Sequence, residues 1–136
     1  MFSDIIERCC NTKHKDVSID YNITSDGDNS SCGDYIKLYL KTNNNIVEQA
    51  SFEGYACSIA TASADYMIDK IIGKNFDEIK RYNYLFNKML CGNINEEEEK
   101  ELGSLIDFAY ISHMRHRINC AKLCWNTLMK GIDKCE

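Results

Sequence analysis

The hydrophobic period of this chain changes once, near Cys57, and that change limits the architecture more than any other feature. Between Val17 and Glu53 apolar residues recur at every second position in the strand runs; beyond Cys57 they recur at helical spacing. Val17, Ile19, Tyr21 and Ile23 alternate with Ser18, Asp20 and Asn22, which predicts a half-buried strand over 17–23. Asp26 to Ser31 is rich in turn formers and is expected to be a loop. Ile36, Leu38 and Leu40 then alternate with Tyr35, Lys37 and Tyr39, and the pattern resumes from Ile46 to Glu53. Asn43-Asn44-Asn45 lies between these runs. Asn tolerates the left-handed backbone of tight turns, so the two runs are expected to form a hairpin.

Helical spacing governs most of the remainder. A short helix is expected at Ile5 to Cys10, ahead of the strands. Ile59, Ala62, Tyr66, Ile68 and Ile71 mark a helix over 58–72, with Gly73 at its C-terminal end. Asn75 precedes a segment carrying Phe76, Ile79, Phe86, Met89 and Leu90, closed by Gly92. Asn95 and Glu98 have capping-box spacing, so Glu96 to Glu99 reads as a helix start, followed by a stripe of Leu102, Leu105, Ile106 and Ala109. A last helix is expected from about Asn119 to Lys130, burying Ala121, Leu123 or Cys124, Trp125 and Leu128. Strands first and helices later, with no repeat and no low-complexity linker, predict one α+β domain over 1–136. Its sheet is small and antiparallel, of about three strands, with helices packed on one face.

Charge and cysteine content narrow the function. Sixteen Lys and Arg against twenty-one Asp and Glu leave a formal net charge of -5, which repels phosphate backbones, so no nucleic-acid partner is expected. No apolar run approaches the roughly 18 residues of a membrane span. The start MFSDIIERCC lacks a basic and a long apolar region, so cytoplasmic residence is expected. In a reducing compartment structural disulfides are rare, and eight cysteines in 136 residues then point to metal binding or thiol chemistry.

The hairpin brings some of these thiols together. Residues on paired antiparallel strands oppose one another at a nearly constant index sum, so with a turn near Asn44, Cys32 and Asp34 face the mid-fifties. Cys32, Asp34 and Cys57 therefore share one end of the hairpin. Cys57 also lies beside a helix N-terminus, where the dipole favours thiolate. Such a group suggests zinc, which takes four ligands. Cys120, expected at the start of the last helix, is the natural fourth.

Cys32-Gly33-Asp34, Phe52-Glu53-Gly54-Tyr55-Ala56-Cys57-Ser58-Ile59-Ala60 with Ala62-Ser63-Ala64 behind it, and Arg117-Ile118-Asn119-Cys120-Ala121-Lys122-Leu123 occur in this order. In these three motifs, and in its N-terminal Asp4-Ile5-Ile6-Glu7-Arg8, the chain resembles the iron–sulfur cluster assembly proteins of the IscU/SufU/NifU N-domain family over nearly its whole length. Asn119 stands where IscU-type scaffolds have a His, and the Cys57–Cys120 interval is long; both details resemble the SufU-like branch. The resemblance implies zinc held at Cys32, Asp34, Cys57 and Cys120, with Cys32 accepting persulfide sulfur from a cysteine desulfurase of the SufS kind. Downstream assembly or recipient proteins are the implied further partners. The alternative within the family is a scaffold on which iron builds a [2Fe-2S] cluster, and a weaker one is a structural zinc module. Members usually carry a Pro shortly before the first cysteine; here Ser31 takes that place.

The other reactive residues have plainer readings. Arg117 is an auxiliary candidate beside the thiols or a surface ion-pair former. His113 and His116 offer an alternative ligand pair on the face of Cys120, but read first as a solvated basic turn. Cys9, Cys10, Cys91, Cys124 and Cys135 are expected to be core or incidental thiols, and Trp125 a core residue.

Overall fold

The computed structural model describes residues 2–135. Three strands, β1 (Ile23–Asn29), β2 (Asp34–Asn43) and β3 (Ile46–Tyr55), form one antiparallel sheet in sequence order. The helices are α1 (Phe2–Cys10), α2 (Ser58–Ile71), α3 (Phe76–Leu90), α4 (Glu96–Leu102) and α5 (Arg115–Asp133), with a 3₁₀ segment, Gly103–His113, before α5.

Period-two patterning sets the two faces of the sheet. In β2 Asp34, Ile36, Leu38 and Leu40 are buried toward the helices, whereas Tyr35, Lys37, Tyr39 and Lys41 lie on the opposite face. Asn44 and Asn45 both have left-handed φ, 53° and 63°, and close the β2–β3 hairpin as the Asn triplet predicts. The helices cover a single face, α5 lying along β1 and α2 between α1 and α5.

The burial of α2 exceeds the expected stripe. Ala60, Thr61, Ser63, Ala64 and Asp65 are buried along with Ile59, Ala62, Tyr66, Ile68 and Ile71. Small side chains allow α5 to come close, and the Ser63 hydroxyl donates to the Ala121 carbonyl at 2.7 Å. The predicted capping box at Asn95/Glu98 is present, so the acidic run begins a helix, and a second one closes the start of α3 at Asn75/Glu78. Trp125 is a core residue, its ring stacked on Phe86 at 5.5 Å.

Three local expectations are corrected. The first concerns the segment 17–23, which contributes only Ile23 to the sheet; Val17 and Tyr21 are exposed. The chain ahead of it runs instead beside β3, where Asp16 N donates to the Phe52 carbonyl at 2.8 Å and Phe52 N to the His14 carbonyl at 3.1 Å. The expected loop supplies most of β1. Asp26 and Asp28 occupy solvent-facing positions, and Gly27 leaves room for α5, since a Cβ there would lie 2.4 Å from Thr127 Oγ1. Packing against α5 outweighs the local turn preference of Asp, Gly and Asn.

The second correction concerns the stripe after Asn95. The α-helix stops at Leu102, and the next buried residues, Leu105, Phe108 and Ile111, recur every three positions, the period of a 3₁₀ helix. Ile106, expected inside, is 41% exposed, and Ala109 is exposed as well. Third, α5 begins one turn earlier than expected, at Arg115, and buries both Leu123 and Cys124. Among the described residues no helix is long and apolar enough to cross a membrane.

Candidate metal centre

The β1–β2 connection, Ser30 to Gly33, carries Cys32 at an exposed tip. The Cys32 amide donates to the Asn29 carbonyl at 3.1 Å, and Gly33, with φ of 69°, supplies the left-handed residue that returns the chain to β2. Asp34, the first residue of β2, falls on the inward side of the alternation and is only 2% exposed. Its Oδ1 accepts from the Cys57 amide at 2.8 Å, and its Oδ2 lies 3.8 Å from Cys57 Sγ. Cys57 is the N-cap of α2, its sulfur accepting from the Ala60 amide at 3.4 Å. The expected place of Cys57 at a helix N-terminus, beside Asp34, is what the structure has.

Cys120 completes the group from α5, its Sγ 3.5 Å from that of Cys32. It does not lie at the start of the helix. Five residues of α5 precede it and its side chain is fully buried, so no N-terminal amides face it. Burial pushes the Cys120 thiol well above the ordinary range, and the hydrogen bond with Cys32 pushes the same way. The nearby positive charge is Arg117. Interaction with Cys120 first, and with Cys57 and Cys32, raises its own pKa.

Asn29 has no place in the sequence reading, yet its Nδ2 donates to Cys120 Sγ at 3.6 Å while the Ser31 hydroxyl donates to its Oδ1 at 2.9 Å. Asn29 is the cross-strand partner of Asp34. The signal that could have found it is pairing across the turn that holds Cys32. The turn-forming composition of Asp26 to Ser31 hides that pairing.

Ligand atoms of Cys32, Asp34 and Cys120 all lie within 4.8 Å of one another, and Cys57 adjoins the group through Asp34. A tetrahedral ion with metal–sulfur bonds near 2.3 Å needs donor atoms roughly 3.5–3.8 Å apart. The Cys32–Cys120 separation of 3.5 Å and the Asp34–Cys57 separation of 3.8 Å are in that range. Cys32, Asp34 and Cys120 therefore suit zinc, and equally a thiophilic iron site, whereas Cys57, reached through Asp34, lies outside the group whose donors all fall within 4.8 Å of one another.

The remaining candidates stay apart. His113 and His116 are exposed and, among the described residues, belong to no group able to hold a metal. Cys10, Cys91 and Cys135 are exposed and Cys9 is half-buried. Cys124 is buried 3.3 Å from the Ser63 hydroxyl, and burial pushes its thiol up to about 12.

Comparison with known proteins places the chain in a family. The chain is 36% identical over 132 residues to the zinc-dependent sulfurtransferase SufU of Bacillus subtilis, covering 97% of this chain and 88% of that protein. It is 35% identical over 136 residues to the iron–sulfur cluster assembly scaffold protein IscU of Thermotoga maritima, covering 98% and 94%. A crystal structure of a putative iron–sulfur cluster assembly scaffold protein for the SUF system from Fervidobacterium islandicum superposes with a TM-score of 0.83 at 29% identity, over 93% of this chain and 92% of that one. The sequence profile of the NifU-like N terminal domain matches residues 2–135, and the chain belongs to that family.

Proposed function

We propose that this chain is a SufU-like iron–sulfur cluster assembly protein: a zinc-dependent acceptor and carrier of sulfur, loaded at Cys32 by a cysteine desulfurase and emptied by downstream assembly or recipient proteins. One observation carries the reading. Of the four donors only Cys32 stands exposed on a turn, whereas Asp34 and Cys120 are buried and Cys57 is half-buried. One thiol can leave such a group and meet a partner while three donors stay in place.

Cys32, Asp34, Cys57 and Cys120 would hold the metal. A bound zinc keeps its thiols deprotonated at neutral pH. The Cys32 thiolate attacks the outer sulfur of the donor's persulfide, the donor's S–S bond breaks, and the donor cysteine departs as thiolate. The new persulfide remains on Cys32, and no external oxidant or reductant is required. Arg117 supplies positive charge beside the thiolates. Asp34 is the harder and weaker donor, which suits a site whose ligands exchange.

The test is metal and acid-labile sulfide content after anaerobic purification, followed by mass analysis of Cys32 after addition of a desulfurase and cysteine. One zinc, no sulfide and a persulfide at Cys32 are expected. Cys32→Ala should end sulfur acceptance in a folded protein. Cys57→Ala or Cys120→Ala should lower metal content to a small fraction, and full occupancy in both would show that the ligands lie elsewhere. The second reading is an IscU-type scaffold, supported by the similarity to the Thermotoga protein and by a donor set that suits iron. Iron with equimolar sulfide would select it.

A further inference from the structure

The two edges of the sheet are finished differently. The outer edge of β3 is closed by backbone. At one end Val47 N donates to the Lys74 carbonyl at 3.0 Å and Gly73 N to the Val47 carbonyl at 2.7 Å; at the other, Phe52 bonds with His14 and Asp16. The outer edge of β1 has no backbone partner among the described residues. The Asp26 carbonyl faces outward, where the Lys130 ammonium donates to it, and antiparallel pairing turns the backbone groups of Thr24 and Asp28 the same way. All three residues are exposed. A free edge is a template for a further strand, and here it is blunted by one flexible side chain.

This edge leads to the site. β1 runs directly into the Cys32 turn, and its last residue, Asn29, donates to Cys120 Sγ. A groove of about 230 Å³ lies beside the edge, between Gly27 and Asp28 on one side and Leu123, Asn126, Thr127 and Lys130 of α5 on the other. Leu123 is one helical turn from Cys120. A strand laid on β1 would send alternate side chains into this groove and the others over the open face of the sheet, where Asp26 and Asp28 stand. Lys37, the cross-strand partner of Asp26, lies over the Tyr39 ring at 5.5 Å instead of on the carboxylate. The two Asp therefore favour basic residues at alternate positions of an incoming strand. Pairing with the β1 of a second copy would instead set them against like carboxylates.

We infer that the free edge of β1 receives an extended, basic segment of the protein that delivers sulfur to Cys32, as a fourth strand of the sheet. The identity of that partner rests on the relay reading above; the open edge and its charge do not. Strand addition fixes the register of the incoming chain, because its backbone bonds must match Thr24, Asp26 and Asp28. Asp26 lies three residues, about 10 Å, from the Asn29 end of β1, so a cysteine shortly beyond the paired segment reaches the Cys32 turn. The Lys130 side chain must leave the Asp26 carbonyl as the strand arrives.

The experiment follows amide hydrogen exchange by NMR in the full chain, with and without the cell's own purified cysteine desulfurase, separately from persulfide formation. The Thr24, Asp26 and Asp28 amides should exchange rapidly in the free chain and about tenfold or more slowly in the complex. Thr24→Pro removes an outward N–H but no sheet hydrogen bond and no charge, and should weaken binding about fivefold or more. Asp26→Asn/Asp28→Asn keeps the amides and should bind with less salt dependence. Lys130→Ala uncovers the Asp26 carbonyl and should bind more tightly, whereas Lys100→Ala, on α4, should bind like wild type. All variants should accept sulfur at Cys32 from inorganic polysulfide at the wild-type rate. Unprotected β1 amides in the complex, or wild-type affinity in folded Thr24→Pro, overturns the proposal; if that variant does not fold, the exchange pattern decides alone. A wild-type chain that binds no desulfurase overturns it as well. Protection that grows with chain concentration and needs no desulfurase overturns it in favour of a second copy. Protection by the desulfurase with no persulfide at Cys32 leaves the docking edge standing and removes the relay.

Discussion

Two buried carboxylates, Asp34 and Asp65, do different work because their acceptor atoms are filled differently. Asp65, fully buried in α2, takes the Arg8 guanidinium at 2.9 Å, the Lys13 amide at 3.1 Å and the His14 amide at 2.9 Å. These bonds clasp α1 and the chain after it onto α2. Arg8 also reaches Asp69 and lies over the Tyr66 ring, 4.6 Å from its centroid. Asp34 receives one amide, that of Cys57, and turns its other oxygen toward thiols. A saturated carboxylate is a joint; one with spare lone pairs beside sulfur is a ligand.

Exchanging the same side chain at both places breaks or sharpens this contrast. Asp65→Ala leaves the Arg8 charge half-matched and two backbone amides unpaired, and about 3 kcal/mol of stability should be lost. Asp34→Ala leaves one amide unpaired but removes a carboxylate from among thiols, so about 1 kcal/mol or less is expected. Its effect should fall on the metal, which should exchange faster with a chelator. Urea unfolding and chelator competition on both variants make the comparison, and equal stability losses would end it.

The sequence revealed these two regions unequally. The metal donors were accessible because three of them follow from hairpin index sums and a change of period at Cys57. Cys120 is recognisable as a donor type but not placeable from sequence: nothing local says that α5 begins at Arg115, so the sequence points to a helix terminus that the thiol lacks. The Asp65 clasp left no pattern, since its partners lie more than fifty positions away and two of them are backbone amides. Strand β1 misled for a third reason. Asp26-Gly27-Asp28 has turn-forming composition, and only the approach of Thr127 explains why a strand needs glycine there. Leu105, Phe108 and Ile111 fit a three-residue period, but beside a capped helix start the 3.6-residue reading prevailed.

Asn29 tests how far the site extends beyond its donors. Asn29→Asp keeps the size of the side chain but removes the N–H that reaches Cys120, and places a carboxylate against thiols. Partners one layer out from a metal are typically worth about 10–100-fold in affinity. A weakening of that order is expected in chelator competition, with faster alkylation of Cys32 and little change in urea midpoint. Unchanged metal affinity would confine the site to its four donors.

The smallest effect belongs to the clasp and has a definite sign in pH. Burial works to raise the Asp69 pKa, but hydrogen bonds from His14 and Arg8 outweigh it and hold the carboxyl below its ordinary value. A carboxylate lowered in the folded state contributes stability that is complete above its unfolded pKa and disappears as pH falls through the folded one. The contribution of Asp69 should therefore be constant from neutral pH down to about pH 5, begin to fall near about pH 4, and vanish only once the pH is below its lowered folded value. Asp69 is about one-third exposed, and solvent screening holds its contribution under about 1 kcal/mol. Urea unfolding of wild type and Asp69→Asn across this range should show a small gap that closes on acidification. A gap that widens toward acid would mean that these two partners do not hold Asp69 ionised, and that the clasp rests on Asp65 alone.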